Sequence, residues 1–151
     1  MGKLITASML YDLVSCPHRV ERDLFADPAE KDAGSPFVEM LWDRGNAWES
    51  EVVSGLPLAP LDLKDGSDIE RERATLQAMR DGADLIYGGR FTHEDLLGEP
   101  DLLRREGRGY VAIDIKSGRG KEGGGENGGD DDEQGKPKKE YVVQLAHYTH
   151  L

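Results

Sequence analysis

Cysteine is almost absent from this chain of 151 residues, since Cys16 is the only one. No disulfide can therefore form within the chain, as is typical of proteins from a reducing compartment. Long apolar runs are also missing: no stretch approaches the roughly 18 residues that a membrane-spanning helix needs, and the N-terminus lacks the apolar segment of a secretory signal. These absences predict a cytoplasmic protein with no membrane partner.

Basic side chains are in the minority, with 19 Lys and Arg against 30 Asp and Glu and a formal net charge of −11. This excess of acidic side chains argues against non-specific electrostatic binding of nucleic acid, because proteins that bind in this way usually have a basic surface. Short basic clusters at residues 104–108 and 136–139 can still contact phosphates. With 37% hydrophobic residues, the length suits one domain with a real core.

Residues 98–116 predict a β-hairpin. Residues 102–103 and 110–115 are rich in branched and aromatic side chains, and the sequence Glu-Gly-Arg-Gly between them supplies a turn. If residues 107–108 form the tip, counting along the ladder places Asp101 opposite Asp114 and Glu99 opposite Lys116. Because side chains alternate along a strand, these four lie on one face. The opposite, core-facing side is predicted to carry Leu102, Val111, Ile113 and Ile115.

The two opposed carboxylates predict a cation site. Asp101 and Asp114 would repel each other across the strand pair unless a positive group lies between them. Hard oxygen ligands suit Mg²⁺ or Mn²⁺, and Mg²⁺ commonly takes one or two carboxylates. Lys116 can then orient the attacking water or stabilise charge on a phosphate. An isolated Asp-Ile-Lys usually marks a solvated strand face, but the opposed acids and the apolar side chains at the alternate positions favour phosphodiester hydrolysis.

The ordered series Pro100-Asp101, Asp114-Ile115-Lys116, Gln144 and Tyr148 resembles the PD-(D/E)xK nuclease superfamily. It is most similar to the RecB-like predicted nucleases, in which a Cys-Pro-x-Arg sequence like that at residues 16–19 often occurs. The resemblance implies an α/β fold with a restriction-endonuclease-like core, in which helices flank a small central mixed β-sheet. It also implies a Mg²⁺- or Mn²⁺-dependent deoxyribonuclease acting in DNA repair, recombination or defence.

The same resemblance assigns roles to individual residues. Asp101 and Asp114 are the expected metal ligands, together with the backbone carbonyl of Ile115, and Lys116 is the catalytic lysine. Gln144 and Tyr148 are expected to hold the DNA backbone or support that lysine.

A further ligand is expected on the helix that begins after Ser35-Pro36. There, the pattern Gly45-x-x-x-Glu49 matches the superfamily, so Glu49 is the predicted third acidic ligand and Glu51 the fallback. A lone Glu on a helix is otherwise usually solvated.

Some relatives bind an iron–sulfur cluster through one N-terminal cysteine and three others beyond the nuclease core. Because only Cys16 is present and four thiolates are the norm, no cluster is expected in this chain. The chain ends inside an apolar-periodic pattern without a C-cap signal, which predicts a fragment of a longer member. Relatives are often joined to helicase-like or other nuclease modules, which makes such a module an expected partner.

Further elements follow from local signals. Thr6 and Ser35-Pro36 predict two helix starts, and Asp68 is the predicted cap of a helix that ends near Arg80. Residues 84–87 predict a short strand, followed by a connection through His93 and Asp95 to the central hairpin, and residues 140–151 predict a closing helix. The helix after Ser35-Pro36 is expected to pack against the sheet through an apolar stripe of Phe37, Met40, Leu41, Trp48 and Val52. Residues 118–139, with eight glycines and an acidic block at residues 130–133, predict a flexible loop within a single domain spanning residues 1–151.

Two other functions stay open on the sequence alone. A non-catalytic nucleic-acid-binding or assembly module would retain the fold without competent chemistry. A metal-dependent hydrolase of small phosphoesters would fit the acidic composition better than a nuclease does.

Overall fold

The structure is a computed structural model that describes residues 3–122 and 135–151. These residues form five α-helices, nine short strands and one 3₁₀ turn, Pro28–Glu30. The helices are α1 (Ala7–Ser15), α2 (Pro17–Phe25), α3 (Pro36–Ser54), α4 (Asp68–Asp81) and α5 (Lys139–His150). The strands are β1 (Ile5–Thr6), β2 (Leu61–Asp62), β3 (Leu85–Tyr87), β4 (Phe91–His93), β5 (Leu96–Gly98), β6 (Leu102–Glu106), β7 (Gly109–Ile113), β8 (Lys121–Glu122) and β9 (Lys136–Pro137).

The main sheet has four strands in the order β2-β3-β6-β7. Strand β2 runs parallel to β3, whereas β3, β6 and β7 are mutually antiparallel neighbours, so the sheet is mixed as predicted. A second sheet has the order β1-β5-β4, and β8 pairs with β9. The predicted mixed α/β class is confirmed by this arrangement.

Polar caps start most of the helices. Thr6 Oγ1 accepts the Met9 N–H at the start of α1, and Ser35 Oγ accepts the Val38 N–H at the start of α3, where Pro36 occupies the first turn. Helix α4 differs from the prediction: Ser67, not Asp68, is its cap, because the side chains of Ser67 and Glu70 form a reciprocal capping box.

The core lies on both faces of the main sheet. On one face, Ile86 and Leu103 pack against Ala78 of α4. On the other face, Leu85, Tyr87 and Leu102 pack with partly buried apolar residues that include Val53, Leu56, Ile113 and Ile115. The prediction of one apolar face and one face for chemistry is therefore wrong for most of the sheet.

Val111 also departs from its predicted place in the core, because its side chain is 40% exposed at the edge strand β7. The first half of α3 departs as well. Its expected apolar stripe against the sheet is exposed at Phe37 (63%), Met40 (44%) and Leu41 (48%).

The predicted flexible loop at residues 118–139 is only partly described. Strand β8 and strand β9 fall within it and pair in an antiparallel register, with Lys121 opposite Pro137, so these parts are ordered. The acidic block at residues 130–133 lies outside the described residues. Across the described ranges, no helix is both long and apolar enough to span a membrane.

Candidate functional site

The central hairpin has the predicted register. Glu106 pairs with Gly109 across a tip at residues 107–108, and the ladder ends with Leu102 opposite Ile113. Asp101 and Asp114 are therefore the first residues beyond the paired strands. This end of the hairpin positions both carboxylates at an edge of the main sheet.

Backbone contacts hold Asp101 in place. The Ile115 N–H donates to Asp101 Oδ2 at 2.6 Å, and the Gly88 N–H donates to the Asp101 carbonyl at 2.9 Å. The preceding residue, Pro100, is fully buried. One carboxylate oxygen is thus tied to the residue after Asp114, which fixes the two acidic segments relative to each other.

The predicted catalytic lysine lies beside the second acid. Lys116 Nζ is 3.1 Å from Asp114 Oδ2, and the Asp114 side chain is only 9% exposed. The pair is close enough for an ion pair but does not meet hydrogen-bond geometry, so Asp114 Oδ2 is buried without a hydrogen-bond donor among the described residues. The Lys116 ammonium group nevertheless offsets the negative charge of this oxygen, so Asp114 already has one positive partner.

Burial raises the pKa of Asp101 to about 6, against the hydrogen bond from the Ile115 N–H, which lowers it. The nearby charges of Asp114 and Glu49 raise this pKa further, and Lys116 lowers it. The acidic groups are therefore close enough to repel one another. This repulsion is what the sequence analysis expected of opposed carboxylates.

Glu49 reaches the same region from α3 but is already paired. Its side chain is 15% exposed, and Lys64 Nζ lies 2.8 Å from Glu49 Oε1 and 3.0 Å from the Tyr87 hydroxyl. Burial is the largest effect on the pKa of Lys64 and lowers it, but the hydrogen bonds and charges of Glu49 and Tyr87 together outweigh burial and raise this pKa above its ordinary value. The ammonium group thus occupies the position of a counter-ion to Glu49.

A cavity of about 410 Å³ joins these groups. It is lined by residues from α3 and from the end of the hairpin: Leu41, Trp42, Gly45, Asn46, Glu49, Asp101, Ile115, Lys116 and Ser117. Glu51, the fallback ligand, lines a neighbouring cavity with Arg44 and Trp48 instead. The structure therefore brings Glu49, Asp101 and Lys116 to one cavity and places Glu51 outside it.

Glu99 does not lie opposite Lys116 as predicted. Its Oε1 pairs with Arg71 Nη1 at 3.0 Å and with Arg90 Nη1 at 2.9 Å. The prediction failed because the ladder ends at Leu102, so strand alternation no longer decides where Glu99 points. Glu99 instead ties the segment before Asp101 to α4.

Helix α5 brings Tyr148 close to the acids. Its hydroxyl donates to the Glu99 carbonyl at 3.3 Å. Burial raises the pKa of Tyr148, and the charges of Asp114 and Asp101 raise it further. Gln144, four residues earlier, is buried, and its Oε1 has no hydrogen-bond partner among the described residues. Neither residue lines the cavity itself.

His147 was overlooked by the sequence analysis, which treated it as incidental. Its side chain is buried, and its Nε2 lies 2.9 Å from the carbonyl oxygen of Leu97. This contact ties α5 to β5. The repeat of buried positions at 144 and 147 is a helical spacing, but polar residues at such positions give no apolar signal.

The carboxylates of Asp101 and Asp114 are suitable ligands for a hard divalent cation, but they are only two. Asp101 and Asp114 offer carboxylate oxygens, and only one oxygen of Asp101 is engaged by the Ile115 N–H. However, no group of three or more His, Cys, Asp or Glu side chains within residues 3–122 and 135–151 is arranged to hold a metal. Two carboxylates are enough for Mg²⁺, which usually keeps several waters. Cys16 is exposed and is the single cysteine of the chain, whereas an iron–sulfur cluster normally needs four thiolate ligands.

Lys64, Arg71 and Arg90 also belong to this region and were not found from the sequence. Each pairs with an acidic residue that lies at least nine positions away along the chain. No local spacing rule connects such partners, so only the fold reveals them.

Three comparisons with known proteins were made. Neither the protein-family models, nor the curated proteins, nor the solved structures gave a match to this chain. A function for the chain therefore has to follow from its own residues and contacts.

Proposed function

We propose that this chain is a divalent-metal-dependent DNA nuclease with a restriction-endonuclease-like core that hydrolyses phosphodiester bonds. The observation that carries the proposal is the end of the central hairpin, where the buried Asp114 carboxylate pairs with Lys116 Nζ at 3.1 Å. Asp101 lies close enough for the Asp114 charge to raise its pKa. Asp101 and Lys116 line one cavity, and Asp114 is held beside them through its ion pair with Lys116. Two acids and one ammonium group are the minimum that this chemistry requires.

Each residue has a distinct task in this proposal. Asp101 and Asp114, with the Ile115 carbonyl, hold a Mg²⁺ or Mn²⁺ ion. When bound, such an ion lowers the pKa of a water molecule and offsets the negative charge of the phosphate. Lys116 donates to the attacking water or to the phosphate oxygen on which charge develops.

Helix α5 contacts the chain segment that precedes Asp101. Tyr148 donates to the Glu99 carbonyl, two residues before Asp101, and thereby helps to fix the acidic segment. The amide of Gln144 is buried nearby on the same helix. We assign both residues to supporting the acidic segment and the catalytic lysine, because neither of them lines the cavity.

The test is cleavage of labelled single-stranded and duplex DNA with Mg²⁺ or Mn²⁺ by the wild type, Asp114→Ala and Lys116→Ala. The proposal expects cleavage by the wild type, no cleavage above background by Asp114→Ala, and a cleavage rate at least about 100-fold lower for Lys116→Ala. Glu51→Ala is the matched control, because this acid lies on α3 outside the cavity and should leave cleavage unchanged. Absence of cleavage by the wild type under all these conditions would contradict the proposal.

A non-catalytic nucleic-acid-binding module is the second candidate. It is favoured by the ion pair between Lys64 and Glu49, which keeps the expected third acid occupied by an ammonium group. DNA binding that needs no metal and leads to no cleavage would favour this module over the nuclease. Turnover of a small phosphoester without DNA cleavage would favour neither nucleic-acid function.

A further inference from the structure

The part of α3 that lines the cavity carries large, exposed apolar side chains. Trp42 is 64% exposed and Leu41 is 48% exposed, and both line the same cavity as Asp101 and Lys116. Large apolar side chains that share a concave surface with polar groups are typical of ligand sites. The cavity volume of about 410 Å³ also lies within the range of small-ligand pockets.

Gly45 supplies a second, independent observation. It lies inside α3, where glycine costs roughly 1 kcal/mol relative to alanine. A Cβ atom added at Gly45 would meet no described atom within 4 Å, so packing among the described residues does not require a glycine there. Gly45 lines the cavity, one helical turn from Trp42, and the missing side chain leaves room for something that enters it.

The charge of the chain limits what this ligand can be. At a formal net charge of −11, contacts to many phosphates cannot supply most of the affinity. Stacking of a base on an aromatic side chain contributes without phosphate neutralisation and is available to every base. Duplex DNA keeps its base faces stacked inside the helix, whereas single strands expose them.

We propose that the cavity binds one nucleotide of single-stranded DNA, whose base stacks on Trp42 and whose backbone passes Gly45 towards Lys116. This inference rests on the proposed function, because it places the nucleotide beside the phosphate to be cleaved. It names the substrate class of the site: single strands rather than intact duplex.

The two tryptophans of the chain make the stacking directly measurable. Because the sequence contains only Trp42 and Trp48, Trp48→Phe leaves Trp42 as the single tryptophan and Trp42→Phe leaves Trp48. Trp48 is the matched control, since it is also on α3 and exposed but lines the neighbouring cavity. A 12-residue oligothymidylate in EDTA should quench the fluorescence of Trp48→Phe and leave that of Trp42→Phe unchanged.

Three results would overturn the inference: no quenching in either variant, equal quenching in both, or equal quenching by a duplex of the same length. Trp42→Ala should also weaken oligonucleotide binding about 30-fold, the middle of the range for loss of one stacked base.

A second variant separates binding from folding. Gly45→Leu should raise the denaturation midpoint, because leucine is the better helix former, and still weaken oligonucleotide binding about 10-fold by placing a large side chain in the cavity. Ala47→Gly, on the same helix but beside Trp48, should lower the midpoint and leave binding unchanged. Unaltered binding by Gly45→Leu would contradict the proposed path of the backbone.

The two proposals fail in different assays. Quenching of Trp42 is measured in EDTA, and cleavage is measured with Mg²⁺ or Mn²⁺. Quenching of Trp42 with no cleavage by the wild type would support the binding site and contradict the nuclease. Cleavage with no quenching of Trp42 would support the nuclease and overturn the binding site.

Discussion

Replacement of Asp101 by Asn should stabilise the metal-free protein at neutral pH. The Asp101 pKa is about 6, whereas its ordinary value is 3.8. The folded state therefore binds this proton more tightly than the unfolded state does. As a result, the free energy of unfolding falls as the pH rises from about 4 to about 6, and the full penalty remains above that range.

The size of the penalty follows from the pKa. At about 1.4 kcal/mol per pKa unit, a wholly buried group would cost roughly 3 kcal/mol, and solvent that still reaches Asp101 reduces this to about 1–2 kcal/mol. Asparagine cannot ionise, yet its amide oxygen can accept the Ile115 N–H as Asp101 does. Asp101→Asn should thus exceed the wild type in stability by about 1–2 kcal/mol at pH 7.5 and match it near pH 4.

Urea denaturation at pH 4, 6 and 7.5, with EDTA or with 10 mM Mg²⁺, measures both effects. Mg²⁺ should stabilise the wild type, because a ligand of the folded state adds its binding free energy, and it should not stabilise Asp101→Asn. Asp43→Asn, an exposed carboxylate on α3, serves as the control and should behave like the wild type. Equal pH dependence in the wild type and in Asp101→Asn would refute the reasoning.

Three further outcomes are expected. Lys116→Ala should lower the rate of DNA cleavage about 100- to 1,000-fold in a steady-state assay, as loss of one group that stabilises developing charge does. Arg90→Ala should lower the unfolding free energy by about 1 kcal/mol in urea, because the buried Arg90 pairs with both Asp68 and Glu99, which are themselves partly exposed; Arg104→Ala, which removes an exposed pair, should change it by less than about 0.5 kcal/mol. Lys64→Met should tighten Mg²⁺ binding in calorimetry, because it frees Glu49 as a ligand, and unchanged affinity would exclude Glu49 from the metal site.

The elements with strong local signals were predicted correctly from the sequence. The hairpin register was predicted, because a Gly-containing turn and alternating side chains fix the pairing of two strands. The starts of α1 and α3 were predicted from their caps. These features depend on neighbours within a few residues, which is the range that sequence patterns describe.

Short strands and remote partners were not predicted. Strands β4 and β5 form a hairpin where the sequence suggested only a connection, because three-residue strands are too brief to show alternation. The exposed first half of α3 misled the periodicity argument for a related reason. An apolar stripe predicts that a helix face is covered, but it does not say whether the sheet or a ligand covers it.

For the site, sequence patterns identified Asp101, Asp114 and Lys116 but not the charges around them. Side chains alternate between the two faces of the sheet along the paired strands, and this pattern extends one residue further, to Asp101 and Asp114. It is therefore enough to predict that these two acids lie close together. It gave the wrong neighbour for Glu99, whose place is decided by the arginines of α4 and of the loop before β4. Long-range ion pairs of this kind need the three-dimensional fold.

The energetic cost of the acidic cluster is consistent with its proposed use. Burial and the charges of Asp114 and Glu49 raise the pKa of Asp101, so the ionised cluster is unfavourable in the metal-free protein. An asparagine at position 101 would remove that cost permanently, whereas a cation would remove it only while bound. In the proposed nuclease, a divalent ion held by Asp101 and Asp114 would therefore recover this free energy on binding, at a site where Glu49 is already paired with Lys64.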